Sequence, residues 1–116
     1  MDEAVSLGGT EWTLVELGGA PVDFAEGEPA PFLVLDLEES QVTGSGGCNR
    51  LVGSFTLSED ELRFGPLAST RMACGDAVME RERMFLSALE LVSTYELDEQ
   101  SLTLLAGDEP VARLSC

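Results

Sequence analysis

The chain has 116 residues, of which 44% are hydrophobic, 22 are acidic and six are basic, so its formal net charge is −16. This length and hydrophobic content predict one folded domain over residues 1–116 rather than a disordered polyelectrolyte. A surface this negative would repel phosphate backbones and anionic head groups, so nucleic acid and anionic lipid are excluded as primary partners. The same charge disfavours self-association, and we expect a monomer.

Two residue types are missing, and their absence removes several kinds of catalysis. Without histidine the chain has no Ser-His-Asp or Cys-His centre and no His-ligated zinc. All six basic residues are arginine, so Schiff-base lysine chemistry and P-loop phosphate binding are also excluded. A pair of carboxylates could still catalyse hydrolysis, but among 22 acidic residues a close pair is expected by chance. We therefore predict no catalytic, cofactor-binding or metal-binding residues.

The hydropathy of the chain and its first residues show whether a transmembrane helix or a signal peptide is predicted. No window approaches the roughly 20 consecutive apolar residues of a transmembrane helix. The start, Met1–Val5, lacks a basic region followed by an apolar core, so the sequence predicts no signal peptide in this chain.

The chain begins with a predicted strand and a loop. Trp12, Leu14 and Leu17 mark the strand, Gly18-Gly19 ends it, and residues 21–31 form the loop.

Three later segments share one spacing of apolar residues at offsets of 20 and 40. They are Leu35-x-Leu37-x-Glu39-x-x-Val42-x-Gly44, Phe55-x-Leu57-x-Glu59-x-x-Leu62-x-Phe64 and Tyr95-x-Leu97-x-Glu99-x-x-Leu102-x-Leu104. In each segment the apolar residues alternate and then change parity across a polar or acidic tetrad, which predicts a β-hairpin. The spacing pairs Leu57 with Leu62 and Phe55 with Phe64. It likewise pairs Leu97 with Leu102 and Tyr95 with Leu104, all facing the core.

Acidic residues concentrate at the predicted turns: Glu38-Glu39, Glu59-Asp60-Glu61, Asp98-Glu99 and Asp108-Glu109. None of these turns has the D-x-D-x-D-G pattern of a calcium loop, so we interpret them as solvated turns that discourage edge-to-edge pairing. The glycines over residues 44–47 lack the G-x-G-x-x-G pattern and predict a bulge or tight bend.

One helix is predicted over residues 76–92, which contain no glycine or proline. Asp76 is its expected N-cap. Its apolar face comprises Val78, Phe85, Leu89 and Val92 with Met79 and Leu86, whereas Glu80, Arg81, Arg83 and Glu90 face water. A last strand contains Val111 and Leu114.

These elements predict an α+β fold: a strongly curved antiparallel sheet or incomplete β-barrel of about eight strands, wrapping one helix at residues 76–92. A closed eight-stranded barrel is the alternative.

Three cysteines, Cys48, Cys74 and the terminal Cys116, allow two interpretations. Cys48 and Cys74 form a disulfide, useful only in an oxidising compartment, or they are two buried free thiols. Three thiolates could also bind a metal, but the chain has no C-x-x-C pair and no identifiable fourth ligand. Cys116 is then the odd cysteine, prone to intermolecular pairing.

Three segments together resemble the META domain family, also called HslJ-like. They are residues 46–55, Gly46-Gly47-Cys48-Asn49-Arg50-Leu51-Val52-Gly53-Ser54-Phe55; residues 69–74, Ser69-Thr70-Arg71-Met72-Ala73-Cys74; and Glu82-x-x-Phe85-Leu86-x-x-Leu89. With the opening Trp12-x-Leu14 and the closing hairpin, the resemblance covers residues 8–115. It implies a small α+β domain without established catalysis, usually in bacterial envelope lipoproteins or secreted proteins, associated with heat shock, novobiocin resistance or motility.

The resemblance assigns no mechanism to the motif positions Asn49, Arg50, Thr70 and Arg71. We expect Arg50 or Arg71 to contact acidic or backbone oxygens near Cys48 and Cys74, and Asn49 to stabilise a corner of the backbone.

Two functions follow as hypotheses. The first is a non-catalytic accessory or interaction domain of the bacterial cell envelope, stress-related, located outside the cytoplasm and binding an unknown protein. The second is a carrier of a small hydrophobic ligand, held between helix and sheet by residues such as Phe55, Phe64, Phe85 and Leu89; a distant resemblance to the lipid-holding pilot proteins of secretins points the same way.

Overall fold

The computed structural model describes residues 7–22, 30–59 and 61–116. They form ten strands and one helix, in the order β1 Glu11–Leu17, β2 Ala20–Pro21, β3 Phe32–Asp36, β4 Gln41–Ser45, β5 Arg50–Ser58, β6 Glu61–Phe64, β7 Ala68–Ser69, α1 Asp76–Leu91, β8 Thr94–Leu97, β9 Ser101–Ala106 and β10 Glu109–Ser115. Most of the predicted loop over residues 21–31 lies outside the described residues. So does the segment Met1–Val5, to which the signal-peptide prediction refers.

Eight of the strands form a closed antiparallel barrel. Their order around it is β1-β3-β4-β5-β6-β8-β9-β10, and β10 pairs with β1 to complete the ring. The two-residue strands β2 and β7 pair with β1 and β5 and add to the barrel without being part of the ring. The predicted α+β class and the eight-strand count are confirmed, and the barrel is closed rather than incomplete.

The second and third predicted hairpins have the predicted register. In β5–β6, Phe55 lies opposite Phe64 and Leu57 opposite Leu62. In β8–β9, Tyr95 lies opposite Leu104 and Leu97 opposite Leu102. Most of these side chains are buried or half-buried, but Leu57 and Leu97 are exposed because they lie where each hairpin ends.

The first hairpin departs from the shared spacing. Leu35 lies opposite Val42, and Leu33, not Leu35, lies opposite Gly44. The turn therefore occupies residues 37–40 and begins one residue before the predicted polar tetrad. Its cause is local: Asp36 Oδ1 accepts hydrogen bonds from the backbone N–H groups of Glu38 and Glu39, and Ser40 takes a left-handed backbone with φ 56°.

The N-cap of the helix lies one residue before its predicted position. Gly75 is the N-cap and makes no side-chain hydrogen bond, while Asp76 is the first helical residue. The predicted N-cap role of Asp76 is wrong, because Gly75 already has the extended backbone of a cap; Asp76 instead places its charge in the first turn, which the helix dipole favours.

One hydrophobic core fills the barrel and extends to the helix. Phe85 and Leu89 of the helix are fully buried together with Trp12, Leu14 and Leu35 of the barrel. Val92, just after the helix, is buried as predicted, whereas Val78 and Met79 are half-buried.

Because successive barrel strands run in opposite directions, their connections alternate between two ends. The turns over residues 37–40 and 98–100 and the connection from β5 to β6 lie at one end. The β1–β2 turn, the bend over residues 46–49 and the β9–β10 turn lie at the other, where the helix packs.

No described helix is long and apolar enough to cross a bilayer.

Candidate functional site

Two of the resemblance segments meet at one place, which we call the motif corner: residues 46–50 and 70–74. The first part is the tight bend between β4 and β5, closed by a hydrogen bond from Gly46 N–H to the carbonyl of Asn49. Gly47 has φ 108°, a backbone that favours glycine, and its N–H donates to Ser45 Oγ. The predicted tight bend is thus present.

The helix reaches this bend through Glu82, which is only 7% exposed. Glu82 Oε2 accepts hydrogen bonds from the backbone N–H groups of Cys48 at 3.2 Å and Asn49 at 2.6 Å, and Oε1 accepts one from Asn49 Nδ2 at 2.8 Å. A buried carboxylate needs such donors, since its desolvation otherwise costs several kcal/mol. A Cβ added to Gly46 would lie 2.4 Å from Glu82 Cγ, so only glycine leaves room for the glutamate.

Asn49 connects the carboxylate to the second part of the corner. Its Oδ1 accepts a hydrogen bond from Thr70 Oγ1 at 2.9 Å and another from the Met72 backbone N–H at 2.6 Å. Thr70 Oγ1 in turn accepts from the Arg50 N–H, and Thr70 N–H donates to the Arg50 carbonyl. Among the residues that the structure describes, no buried side-chain nitrogen or oxygen lacks a hydrogen-bond partner.

A disulfide joins the two parts of the corner covalently. Cys48 and Cys74 are bridged, with their Cα atoms 6.2 Å apart. Cys116 is an exposed free cysteine. The corner is therefore held by one covalent bond and by the hydrogen-bond chain Glu82–Asn49–Thr70.

The side chains of the two motif arginines take no part in the hydrogen bonds of the corner. The Arg50 and Arg71 side chains are exposed, and no hydrogen bond or ion pair joins either to another described residue. Arg50 enters the corner through its backbone alone. The side-chain contact expected of these arginines is made instead by Glu82 and Asn49.

The polar groups and sulfurs of the motif corner are already bonded within the corner, which limits the reactions that they could take part in. Both Glu82 oxygens accept hydrogen bonds from main-chain or amide donors, and the bridged sulfurs of Cys48 and Cys74 are not nucleophilic thiolates. Within residues 7–22, 30–59 and 61–116, no group of three or more Cys, Asp or Glu side chains is placed to hold a metal ion. The arrangement suits positioning of the helix on the barrel rather than proton transfer or ligation.

Glu82 enters the resemblance as the first position of Glu82-x-x-Phe85, but the sequence assigned it no role. It lies at helical spacing within the apolar stripe Val78, Glu82, Phe85, Leu89 and Val92, three or four residues from its neighbours. A carboxylate within a buried stripe requires partners from another element, so this spacing was the signal available in the sequence.

An apolar groove lies outside the core, between the helix and the strands β1 and β10. It has a volume of about 330 Å³ and is lined mainly by Leu17, Met84, Ala88, Leu91 and Val111. Of the four residues proposed to hold a hydrophobic ligand, Phe55, Phe85 and Leu89 are buried in the core and Phe64 packs against it. A ligand in the groove would contact other residues than these.

These features define a small closed antiparallel barrel of eight strands with one helix, whose motif segments meet at a disulfide-bridged corner. The chain belongs to the META domain family, whose family model matches residues 5–115. No curated protein matches the chain.

Three solved structures resemble this fold. One is an NMR structure of a protein from Burkholderia xenovorans, with 26% identity and a TM-score of 0.75, covering 99% of this chain and 94% of that one. A second NMR structure has 26% identity and a TM-score of 0.67, covering 90% and 87% of the two chains. The crystal structure of a DUF4847 family protein from Bacteroides vulgatus has 15% identity and a TM-score of 0.64, with 90% of each chain covered; at this identity the likeness concerns the fold alone.

Proposed function

We propose that this chain is a non-catalytic interaction domain that acts outside the cytoplasm, as an accessory protein of the bacterial cell envelope. The observation that carries the proposal is the Cys48–Cys74 disulfide between the two motif segments. Disulfides persist in oxidising compartments and are rare where thiols are kept reduced, so a bridge at the centre of the corner favours an extracytoplasmic setting.

The non-catalytic part of the proposal is supported by the use of the polar groups. Glu82 accepts hydrogen bonds within the corner, and Asn49 and Thr70 both donate and accept there. This leaves no free acid, base or nucleophile among the three. A role in stress would fit a domain with a covalent cross-link, because a bridge resists unfolding where chaperones that use ATP are absent.

The state of the bridge in its native host tests the proposal. Cells are quenched in acid, free thiols are alkylated before reduction, and cysteines released by reduction receive a second label that mass spectrometry distinguishes. We expect Cys48 and Cys74 to carry only the second label. The first label on both cysteines would overturn the proposed setting. A parallel sample that is reduced before alkylation, in which all three cysteines should carry the first label, is the control for complete alkylation.

The apolar groove favours a second candidate function, that of a carrier for a small hydrophobic ligand between helix and barrel. Its volume of about 330 Å³ lies at the lower end of the range of ligand pockets. Native mass spectrometry of protein purified without detergent tests this. A reproducible lipid-sized adduct that is lost in Leu91→Ser supports the carrier, and a bare mass contradicts it.

A further inference from the structure

Three exposed leucines lie at the turn ends of the three hairpins. Leu37, Leu57 and Leu97 are 45%, 37% and 40% exposed and recur in the sequence at offsets of 20 and 40 residues. Leu57 and Leu97 lie on strands just before their turns, whereas Leu37 is the first residue of the turn over residues 37–40. Each follows a buried or half-buried residue two positions earlier: Leu35 before Leu37, Phe55 before Leu57, and Tyr95 before Leu97. Strand alternation places Leu57 and Leu97 on the inner side of the sheet, opposite the buried Leu62 and Leu102. Leu37 follows the buried Leu33 and Leu35 into the first turn.

The strand order brings these leucines to one end of the molecule. β3, β5 and β8 run in the same direction in an antiparallel ring, with β4 between the first two and β6 between the last two. Their turns therefore lie together at the end away from the helix. Leu37 also packs on the chain entering β1, since a Cβ added to Gly8 would lie 2.6 Å from Leu37 Cγ. We call these three side chains the leucine rim.

Acidic residues border the leucine rim on the solvent side. The exposed ones in and next to the three turns are Asp36, Glu38, Glu39, Glu59, Glu61, Glu96, Asp98 and Glu99. None of the six arginines of the chain lies in these turns, although Arg63 follows the second turn on β6 and Arg113 Nη2 donates to Ser101 Oγ just after the third. Exposed leucines bordered by a large excess of carboxylates combine an apolar contact surface with an electrostatic preference for cations.

We propose that the leucine rim binds a cationic amphipathic polypeptide segment of a partner protein. Apolar residues of the segment pack on Leu37, Leu57 and Leu97, and its lysines or arginines lie beside the turn carboxylates. A second copy of this chain fits poorly, because it would bring another net charge of −16 against the same turns. The inference rests on the proposed role as an interaction domain and names its surface and the chemistry of its partner.

The test uses the oxidised 116-residue chain labelled with ¹⁵N and a short peptide of alternating lysine and leucine. We expect amide shifts concentrated at Leu37, Leu57, Leu97 and their turns. A peptide of alternating lysine and serine has the same charge and no apolar face, and we expect it to bind at least about tenfold more weakly. Equal affinity for both peptides would mean unspecific charge attraction and would overturn the proposal.

Matched variants locate the contact. Leu37→Ser/Leu57→Ser/Leu97→Ser should weaken the lysine–leucine peptide at least about tenfold, whereas Met84→Ser/Leu91→Ser, at exposed helix positions, should leave affinity unchanged. Glu59→Gln/Glu61→Gln/Asp98→Asn should weaken binding, and Asp108→Asn/Glu109→Gln, in the turn at the opposite end, should weaken it less. Circular dichroism and the intact disulfide verify folding of each variant.

Two results would contradict the leucine rim: shifts concentrated at the helix, or affinity unchanged in the triple serine variant. Such a failure is distinct from failure of the proposed function, because the labelling of Cys48 and Cys74 in cells does not depend on any peptide. A bridge found in cells with no binding at the rim would leave the setting intact and remove this surface.

Discussion

Glu82 and Asn49 form the central contact of the motif corner: the glutamate carboxylate accepts from both the backbone N–H and the side-chain amide of the asparagine, at 2.6 and 2.8 Å. Because Glu82 belongs to the helix and Asn49 to the β4–β5 bend, this contact joins two elements separated by 33 residues. It brings the two resemblance segments and the glutamate of the third to one place in the fold.

Replacing Asn49 should destabilise the domain strongly. Asn49→Ala removes the amide that satisfies Glu82 Oε1 and the oxygen that receives Thr70 Oγ1 and the Met72 N–H. Leaving buried polar partners unpaired costs about 1–3 kcal/mol each, so we expect a loss of about 3 kcal/mol in the free energy of unfolding by urea. Arg50→Ala, next in sequence but exposed, is the control and should change it by less than about 0.5 kcal/mol. Similar losses in both would contradict the assignment.

A methyl group at residue 46 should have a cost that depends on Glu82. Gly46→Ala places a Cβ 2.4 Å from Glu82 Cγ, and we expect a loss of about 1–3 kcal/mol from this overpacking. Gly75→Ala is the matched control, since a Cβ there meets nothing within 4 Å. The substitution at residue 75 replaces a favoured N-cap residue without a steric clash, so it should cost less than about 1 kcal/mol in the same urea titration. A harmless Gly46→Ala would show that the glutamate does not occupy this position.

Removing the disulfide should lower stability through the unfolded chain. The bridge spans a sequence separation of 26 residues, for which loop entropy gives about 3.5 kcal/mol. We expect Cys48→Ser/Cys74→Ser to lose about that much free energy of unfolding, and reductant to affect the wild type but not this variant. Cys116→Ser, which changes the exposed free cysteine, should behave as wild type. Stability that is insensitive to reductant would contradict a bridge in the purified protein.

The contact between β6 and β8, which we call the seam, should be the first part of the barrel to open. Among the described residues it consists of one residue pair, Glu61 with Thr94, and a hydrogen bond from Leu62 N–H to the Ser93 carbonyl. Every residue of β4, by contrast, has a partner strand on each side. We expect amides of β8 that point away from β9 to exchange with deuterium at least about tenfold faster than those of β4. Equal protection would mean that the seam is continuous in solution.

The hairpins were the most predictable part of the fold. Alternation and turn length fix the pairing of Phe55 with Phe64 and of Tyr95 with Leu104, because both are properties of short stretches of chain. The first hairpin differs because its turn is set by the Asp36 side chain and by the left-handed Ser40, neither of which enters a count of apolar residues. The barrel closes where Leu14 of β1 pairs with Leu114 of β10. Because these residues are far apart in the sequence, no local pattern predicts their pairing.

The corner was predicted only in part. The resemblance identifies Cys48, Cys74, Asn49 and Thr70 as motif positions. The structural role of the corner that they form depends on a carboxylate from the helix. Charged residues on a helix are usually exposed, so the sequence points to a buried Glu82 only through its position in the apolar stripe, and it does not identify the partners of the carboxylate.

The most direct test of the corner is a double-mutant cycle between Glu82 and Asn49. The free energy of unfolding by urea is measured for the wild type, Glu82→Ala, Asn49→Ala and the double variant, all oxidised. We expect the double variant to lose less than the sum of the single losses, by at least about 1 kcal/mol, because each single change leaves the other residue buried and unpaired. Additive losses would show that the two side chains do not depend on each other, and the helix would then be held to the barrel by other contacts.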